Sequence, residues 1–239
     1  TAGATGKGKA MSKAWQWQHA RLARSLALGA ALAIFGAASA YAAEPIKIGH
    51  VAALSGASAQ SGEAITRGLS LAIDEINAKG GLLNGRKLEL LRRDDESIPA
   101  KGVIAARELY FKEKVAVLIG GLDTPVAVAI VPIANESKMV FMDPWAAGTP
   151  ITKNGAKDNY VFRVSAVDEL VDKAMLQYAQ KTHNARKPGM ILVNNPWGES
   201  NEKGLTAALA AKKMNAAGIE KFEGNDVDVV PQLTRLKSA

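Results

Sequence analysis

Cysteine is missing from the whole 239-residue chain. Its absence excludes disulfides, zinc–thiolate sites, thiol catalysis and a thiol-borne lipid anchor. Histidine is nearly as scarce, with only His50 and His183 beyond the amino-terminal leader described below. Neither H-E-x-x-H nor G-x-S-x-G occurs, and the residues offer no clear nucleophile–base pair or metal cluster. The chain does not read as an enzyme, and nothing in it asks for a cofactor or metal.

Acidic residues are absent before Glu44, a stretch that holds five cations: Lys7, Lys9, Lys13, Arg21 and Arg24. Taking these five from the formal net charge of +7 leaves +2, ordinary for a soluble domain. No basic cluster interleaved with aromatics follows, so nucleic-acid binding is not expected. Long hydrophobic runs are missing too. The run from Leu26 to Ala37 is short of the roughly 20 apolar residues that a membrane span needs. With Met11 as initiator, a basic segment before the run and small residues from Ala38 to Ala42 after it, residues 1–42 read as upstream residues and a cleavable export signal. No adjacent arginines of the twin-arginine type occur in it. A periplasmic protein, exported unfolded and free of the membrane, is the expectation.

The stretch that is most informative runs from Val115 to Ala129, VAVLIGGLDTPVAVA. Val115 to Ile119 reads as a buried strand, Gly120 and Gly121 as a sharp turn, and Asp123 or Thr124 as the cap of a helix with Pro125 at its start. Backbone N–H groups and a hydroxyl at such a turn suit a small anionic group such as a carboxylate.

Around it, strands and helices alternate. Ile46 to Ala53 is predicted as a first strand, Leu54 to Gly62 as a loop, and Ile65, Leu69, Ala72, Ile73 and Ile76 as a helical stripe stopped by Gly80-Gly81. Leu88 to Asp95 gives a second strand, and Pro99 opens a helix whose inner face is Val103, Ala106, Leu109 and Tyr110. Pro132 should kink or shorten the helix after the central strand. Met139 to Met142 and Tyr160 to Val164 are further strands. Beyond Ser165, Leu170, Ala174, Met175 and Tyr178 share one helical face; Met190 to Val193 is a strand, about 201–216 a helix, Ile219 to Phe222 a strand and Val229 to Leu236 a helix. The fold class is therefore α/β with doubly wound parallel sheets, and ligands of such sheets sit beyond the carboxyl ends of the strands. With fewer than about 80 residues, the second part makes a marginal core on its own.

These residues resemble a known family. IKIGHVAALSG, SGEAITRGLSLAIDEINAKGGLLNGRKLELLRRDD, VAVLIGGLDTPVAVAIVPIANE and ILVNNPWGES are similar to the periplasmic leucine/isoleucine/valine (branched-chain amino acid) type of ABC-transporter substrate-binding protein. The resemblance implies a type I periplasmic binding protein fold of two lobes, 43–165 and an incomplete 166–239. It also implies a monomer that closes on a small amino acid or amide-like solute and delivers it to an ABC permease. A sensory protein of the same fold, for small amides or urea-like ligands, is the alternative. By position, Thr124 matches the family's carboxylate-binding hydroxyl, and Trp145, Ala146 and Ala147 match a loop supplying backbone groups. Ser61 stands where an aromatic is frequent, and Trp197 where a second-lobe aromatic covers the ligand. The chain departs from the amino-acid pattern at Trp145, where a small residue is usual, and at Ala147, where a hydroxyl is common. That departure hints at a small or flat solute, or at an aromatic or cationic group stacked between indoles. Asp94 and Asp95 read as turn carboxylates rather than ligand groups, and both histidines as structural or solvated.

Overall fold

The structure is a computed structural model that describes residues 44–238; the leader, with Met11 and the expected cleavage site, lies outside them. Strands β1 (Ile46–Ala52), β2 (Leu88–Asp94), β3 (Val117–Gly120), β4 (Phe141–Asp143) and β5 (Val161–Arg163) form one all-parallel sheet in the order β2-β1-β3-β4-β5. Helices α1 (Ala59–Ala78), α2 (Pro99–Arg107), α3 (Thr124–Ser137) and the short α4 (Thr149–Thr152) connect them. Successive residues of a strand face opposite sides, and β1 shows the consequence. A side chain at Gly49 would meet Leu109 and Leu118 on the α2–α3 side, while the neighbouring His50 reaches Thr66 of α1. The main core lies on the first side: Val51, Ala106, Leu109, Leu118, Val126, Ile130 and Phe141 are fully buried together.

After β5 the chain enters α5 (Asp168–His183), β6 (Met190–Val193), α6 (Pro196–Ala211), β7 (Ile219–Phe222) and α7 (Val230–Ser238). β6 and β7 pair in parallel as a separate two-stranded sheet. Its buried cluster is small, with Leu176, Met190 and Leu209 at the centre, as expected for a unit with so few strands.

Most boundaries fall where the residue pattern puts them; five do not. α1 begins at Ala59, so Ser61 and Gly62 lie in a helix rather than a loop. Neither Asp123 nor Thr124 caps α3 through its side chain: Asp123 occupies the cap position without such a bond and Thr124 is already helical. Pro132 does not interrupt α3, because it sits on the exposed face where water can take the carbonyl it leaves unpaired. α6 starts at Pro196, five residues before the expected 201, because Asn195 Oδ1 caps it by accepting the N–H groups of Trp197 (2.9 Å) and Gly198 (3.1 Å). On α5 the shared face of Leu170, Met175 and Tyr178 is exposed, and Asp168, Asp172 and Leu176 turn inward instead. A π-helical turn, Glu108–Lys112, also extends α2 beyond anything the periodicity indicates.

Candidate functional site

Thr124 begins α3 just beyond the carboxyl end of β3. Gly121 makes the turn before it at φ +76°, a conformation that L side chains avoid. The Thr124 side chain is buried, and its Oγ1 accepts the N–H of Gly148 at 3.2 Å. The approach is close: a Cβ on Gly148 would lie 2.3 Å from Thr124 Cγ2, so only glycine fits there. Among the described residues no acceptor is recorded for the hydroxyl proton of Thr124. That proton, at the positive end of α3, remains available to an anion.

The loop after β4, residues 144–148, is held from beneath by Asp143 and Arg163, which stand side by side in the β4–β5 register. Asp143 Oδ1 accepts the N–H groups of Trp145 (3.0 Å) and Ala146 (2.9 Å). Arg163 Nη1 donates to the carbonyls of Ala146 (3.3 Å) and Gly148 (2.8 Å), and Ser165 Oγ also donates to Ala146 O (2.9 Å). Burial pushes the Asp143 carboxyl up to about 7, against the pull of the two amides and of Arg163. Burial likewise lowers the Arg163 guanidinium. Two of the three expected backbone donors are thus spent internally, on Asp143. The N–H of Ala147 has no recorded acceptor among the described residues, while its carbonyl accepts Asp168 N–H at 2.8 Å.

The six residues singled out in the sequence do not all meet. Thr124 joins the 144–148 loop through Gly148. Ala147 and Trp197 border the same open apolar groove of about 600 Å³, together with Asp168, Gly198 and residues of β6. Ala146 is buried with its polar groups engaged, so it shapes the loop. Trp145 and Trp197 are 59% and 49% exposed, which removes the reading of either indole as a core residue. Ser61 lies half-buried in the first turn of α1, after the strand next to β3, and its N–H is used locally on Ser58 O at 3.1 Å. Asp94 and Asp95 do serve turns: Asp94 Oδ1 accepts from Leu54 and Glu96 N–H, and Asp95 Oδ1 from Ser97 N–H.

The family model described as "Periplasmic binding protein" matches residues 45–239. The chain belongs to that family. It is 28% identical, over 92% of its length, to a Leu/Ile/Val-binding protein homolog of Brucella melitensis, and covers 57% of that protein. Among solved structures it is similar to the branched-chain amino acid transporter substrate-binding protein LivJ of Streptococcus pneumoniae in complex with isoleucine (TM-score 0.70, 28% identity, 82% of this chain and 54% of that one). It is also similar to a solute-binding protein of an ABC transporter from R. palustris in complex with benzoate (TM-score 0.70, 30% identity, 81% and 52%). The chain thus spans little more than half the length of these relatives. The α/β fold is that of type I periplasmic binding proteins.

Sequence reasoning missed Asp143, Arg163 and Asp168. Asp143 and Arg163 carried no signal beyond a strand end and a cation in a strand, because their role depends on β4 and β5 being neighbours. Asp168 could have been noticed as an acid opening a helix. It is buried, one carboxylate oxygen has no hydrogen-bond partner, and it borders the groove beside Ala147 and Trp197. The tetrapeptide Ser200-Asn201-Glu202-Lys203 has S-x-x-K spacing. Its serine is buried and accepts Thr149 N–H at 2.9 Å, which makes it a strut between α4 and α6.

Proposed function

We propose that this protein is the extracytoplasmic solute-binding component of an ABC importer, exported by its leader, and that it traps a small carboxylate-bearing solute by closing two lobes. Residues 43–165 make the first lobe and 166–239 part of the second. The observation that carries the reading is a pair of unspent donors beyond adjacent strand ends, Thr124 O–H and Ala147 N–H. They suit a carboxylate, with the dipole of α3 adding to the attraction. Asp168, with an unpartnered oxygen beside Ala147, supplies an acceptor for an ammonium group. Donors for a carboxylate and an acceptor for an ammonium together describe an amino acid. Ser61 and Trp145 close the sides, and Trp197 covers the solute from the second lobe. Delivery to an inner-membrane permease follows from this role.

The two exposed indoles support a second reading, a flat aromatic acid held by the same carboxylate donors. Isoleucine and benzoate, the ligands of the two solved relatives, share only the carboxylate. Thermal-shift screening of the complete mature protein against leucine, isoleucine, valine, short amides, urea and benzoate separates these. One class is expected to raise the melting temperature by several degrees. A panel without any shift would count against both readings. In the same protein Trp197→Ala is expected to weaken binding at least tenfold, about 1.4 kcal/mol; an unchanged Kd would remove Trp197 from the site.

A further inference from the structure

His50 is completely buried between the sheet and α1, and nothing in the binding scheme uses it. Its Nδ1 lies 3.0 Å from the carbonyl oxygen of Ile119 on β3. Its Nε2 lies 3.1 Å from Thr66 Oγ1, and that hydroxyl lies 2.8 Å from the carbonyl oxygen of Gly62 in the first turn of α1. The two ends of this chain are carbonyls, which only accept. Nδ1 must therefore donate to Ile119, and Thr66 must donate to Gly62. Thr66 has a single hydroxyl proton. Once that proton is given to Gly62, the contact between Thr66 and Nε2 needs a proton on Nε2 as well. Three contacts thus require three protons, one from Thr66 and two from the imidazole. A neutral imidazole brings one, so one contact is lost.

The chain ends at meaningful places. Ile119 stands one residue before the Gly120–Gly121 turn that leads to Thr124, and Gly62 follows Ser61. A Cβ on Gly62 would come within 1.9 Å of Ala53 O, so this first turn already sits hard against the exit of β1. We propose that His50 is a proton-dependent positioning residue: in its doubly protonated form it ties the Ser61 turn of α1 to the exit of β3, fixing two walls of the solute site against each other. The inference rests on Ser61 and Thr124 being part of the site.

Charged neighbours act on His50 from two elements, Arg92 of β2 and Glu63 of α1; β3, Val117–Gly120, carries no titratable side chain. Burial and Arg92 lower the imidazole, while the Ile119 carbonyl and Glu63 raise it, with a net displacement below the ordinary 6.5. The three-contact form therefore belongs to acidic pH, and the neutral, two-contact form to pH 7 and above. Protonation also brings a positive charge beneath a site built for an anion, in the same direction as the added order.

The test needs no ligand, so its failure leaves the binding-protein reading standing. A pH titration of the 15N-labelled full-length protein by NMR follows the His50 imidazole, identified by its loss in His50→Gln. The amides of Ser61, Gly121 and Thr124 are followed in the same samples. In the wild type these amides are expected to shift with the His50 midpoint. In Thr66→Val, which removes the acceptor of Nε2, the midpoint is expected to fall by about one unit or more, and in Thr66→Ser to stay. In His50→Gln the three amides should show no transition over this range. An unchanged midpoint in Thr66→Val, or amides that keep the same transition in His50→Gln, overturns the proposal. So does a wild type whose three amides do not follow His50. Should the valine variant fail to fold, the glutamine variant decides.

Discussion

Replacing Thr124 by valine is expected to lower solute affinity ten- to one hundredfold, with serine at the same position restoring most of it. Valine keeps the shape of threonine and removes its hydroxyl, which has two duties in this structure. As an acceptor it satisfies the N–H of Gly148 at 3.2 Å, and as a donor it is free for a carboxylate. A hydrogen bond to a charged group contributes roughly 1.5–3 kcal/mol, which is about ten- to one hundredfold in Kd. The lost acceptor role adds a stability cost of about 1–3 kcal/mol, because the Gly148 amide is buried. Calorimetry on the full-length protein, with the solute found by thermal-shift screening, gives the affinity, and thermal unfolding gives the stability. A valine variant that binds as the wild type does would show that the hydroxyl is only a strut for the 144–148 loop.

Asp172→Asn is expected to stabilise the protein at pH 8 and to do little near pH 4. Asp172 is fully buried, and both carboxylate oxygens lack a hydrogen-bond partner among the described residues. It faces Gly204 where α5 and α6 pack; a Cβ there would lie 2.0 Å from Oδ2. Burial, assisted by the charge of Asp168, raises its pKa from 3.8 to about 7. The folded chain therefore holds this proton at pH values where the unfolded chain has released it. Stability from this group is complete below about 4, falls as pH rises towards 7, and stays low above that. Asparagine carries no charge at any pH, so its stability curve lacks the fall. A buried, unpaired charge leads to an expected gain of roughly 1–3 kcal/mol at pH 8. Urea unfolding at both pH values measures it. A variant no more stable than the wild type at pH 8 would mean that the carboxylate is satisfied in solution.

Much of the first sheet was legible because its signals are local. β1, the Gly-Gly turn after β3 and the proline start of α2 depend on neighbours within a few residues. Thr124 was legible for the same reason, as a hydroxyl at the first turn of a helix. Trp197 was found, but its setting was not: α6 begins at Pro196 through the Asn195 cap, so the indole stands on a helix and not in a loop. The outward turn of Leu170, Met175 and Tyr178 was illegible, since periodicity defines a face without saying which neighbour it meets. Here the inward side is chosen by the close approach of Gly204 to Asp172, and Met175 borders the open groove instead.

By itself the sequence determined the alternation of strand and helix, the parallel sheet it forces, the lack of thiol chemistry and the resemblance to amino-acid-binding proteins. These follow from composition and short-range periodicity. Only the tertiary structure decided which polar groups remain free for a solute. Asp143 takes up the amides of Trp145 and Ala146, and Arg163 and Ser165 take up the loop carbonyls, because the strand order makes β4 and β5 neighbours. Thr124 meets Gly148, 24 residues away, because β3 lies beside β4. A hydrogen bond is spent or available according to what stands within about 3 Å of it, and that distance is set by the packing of segments far apart in the chain.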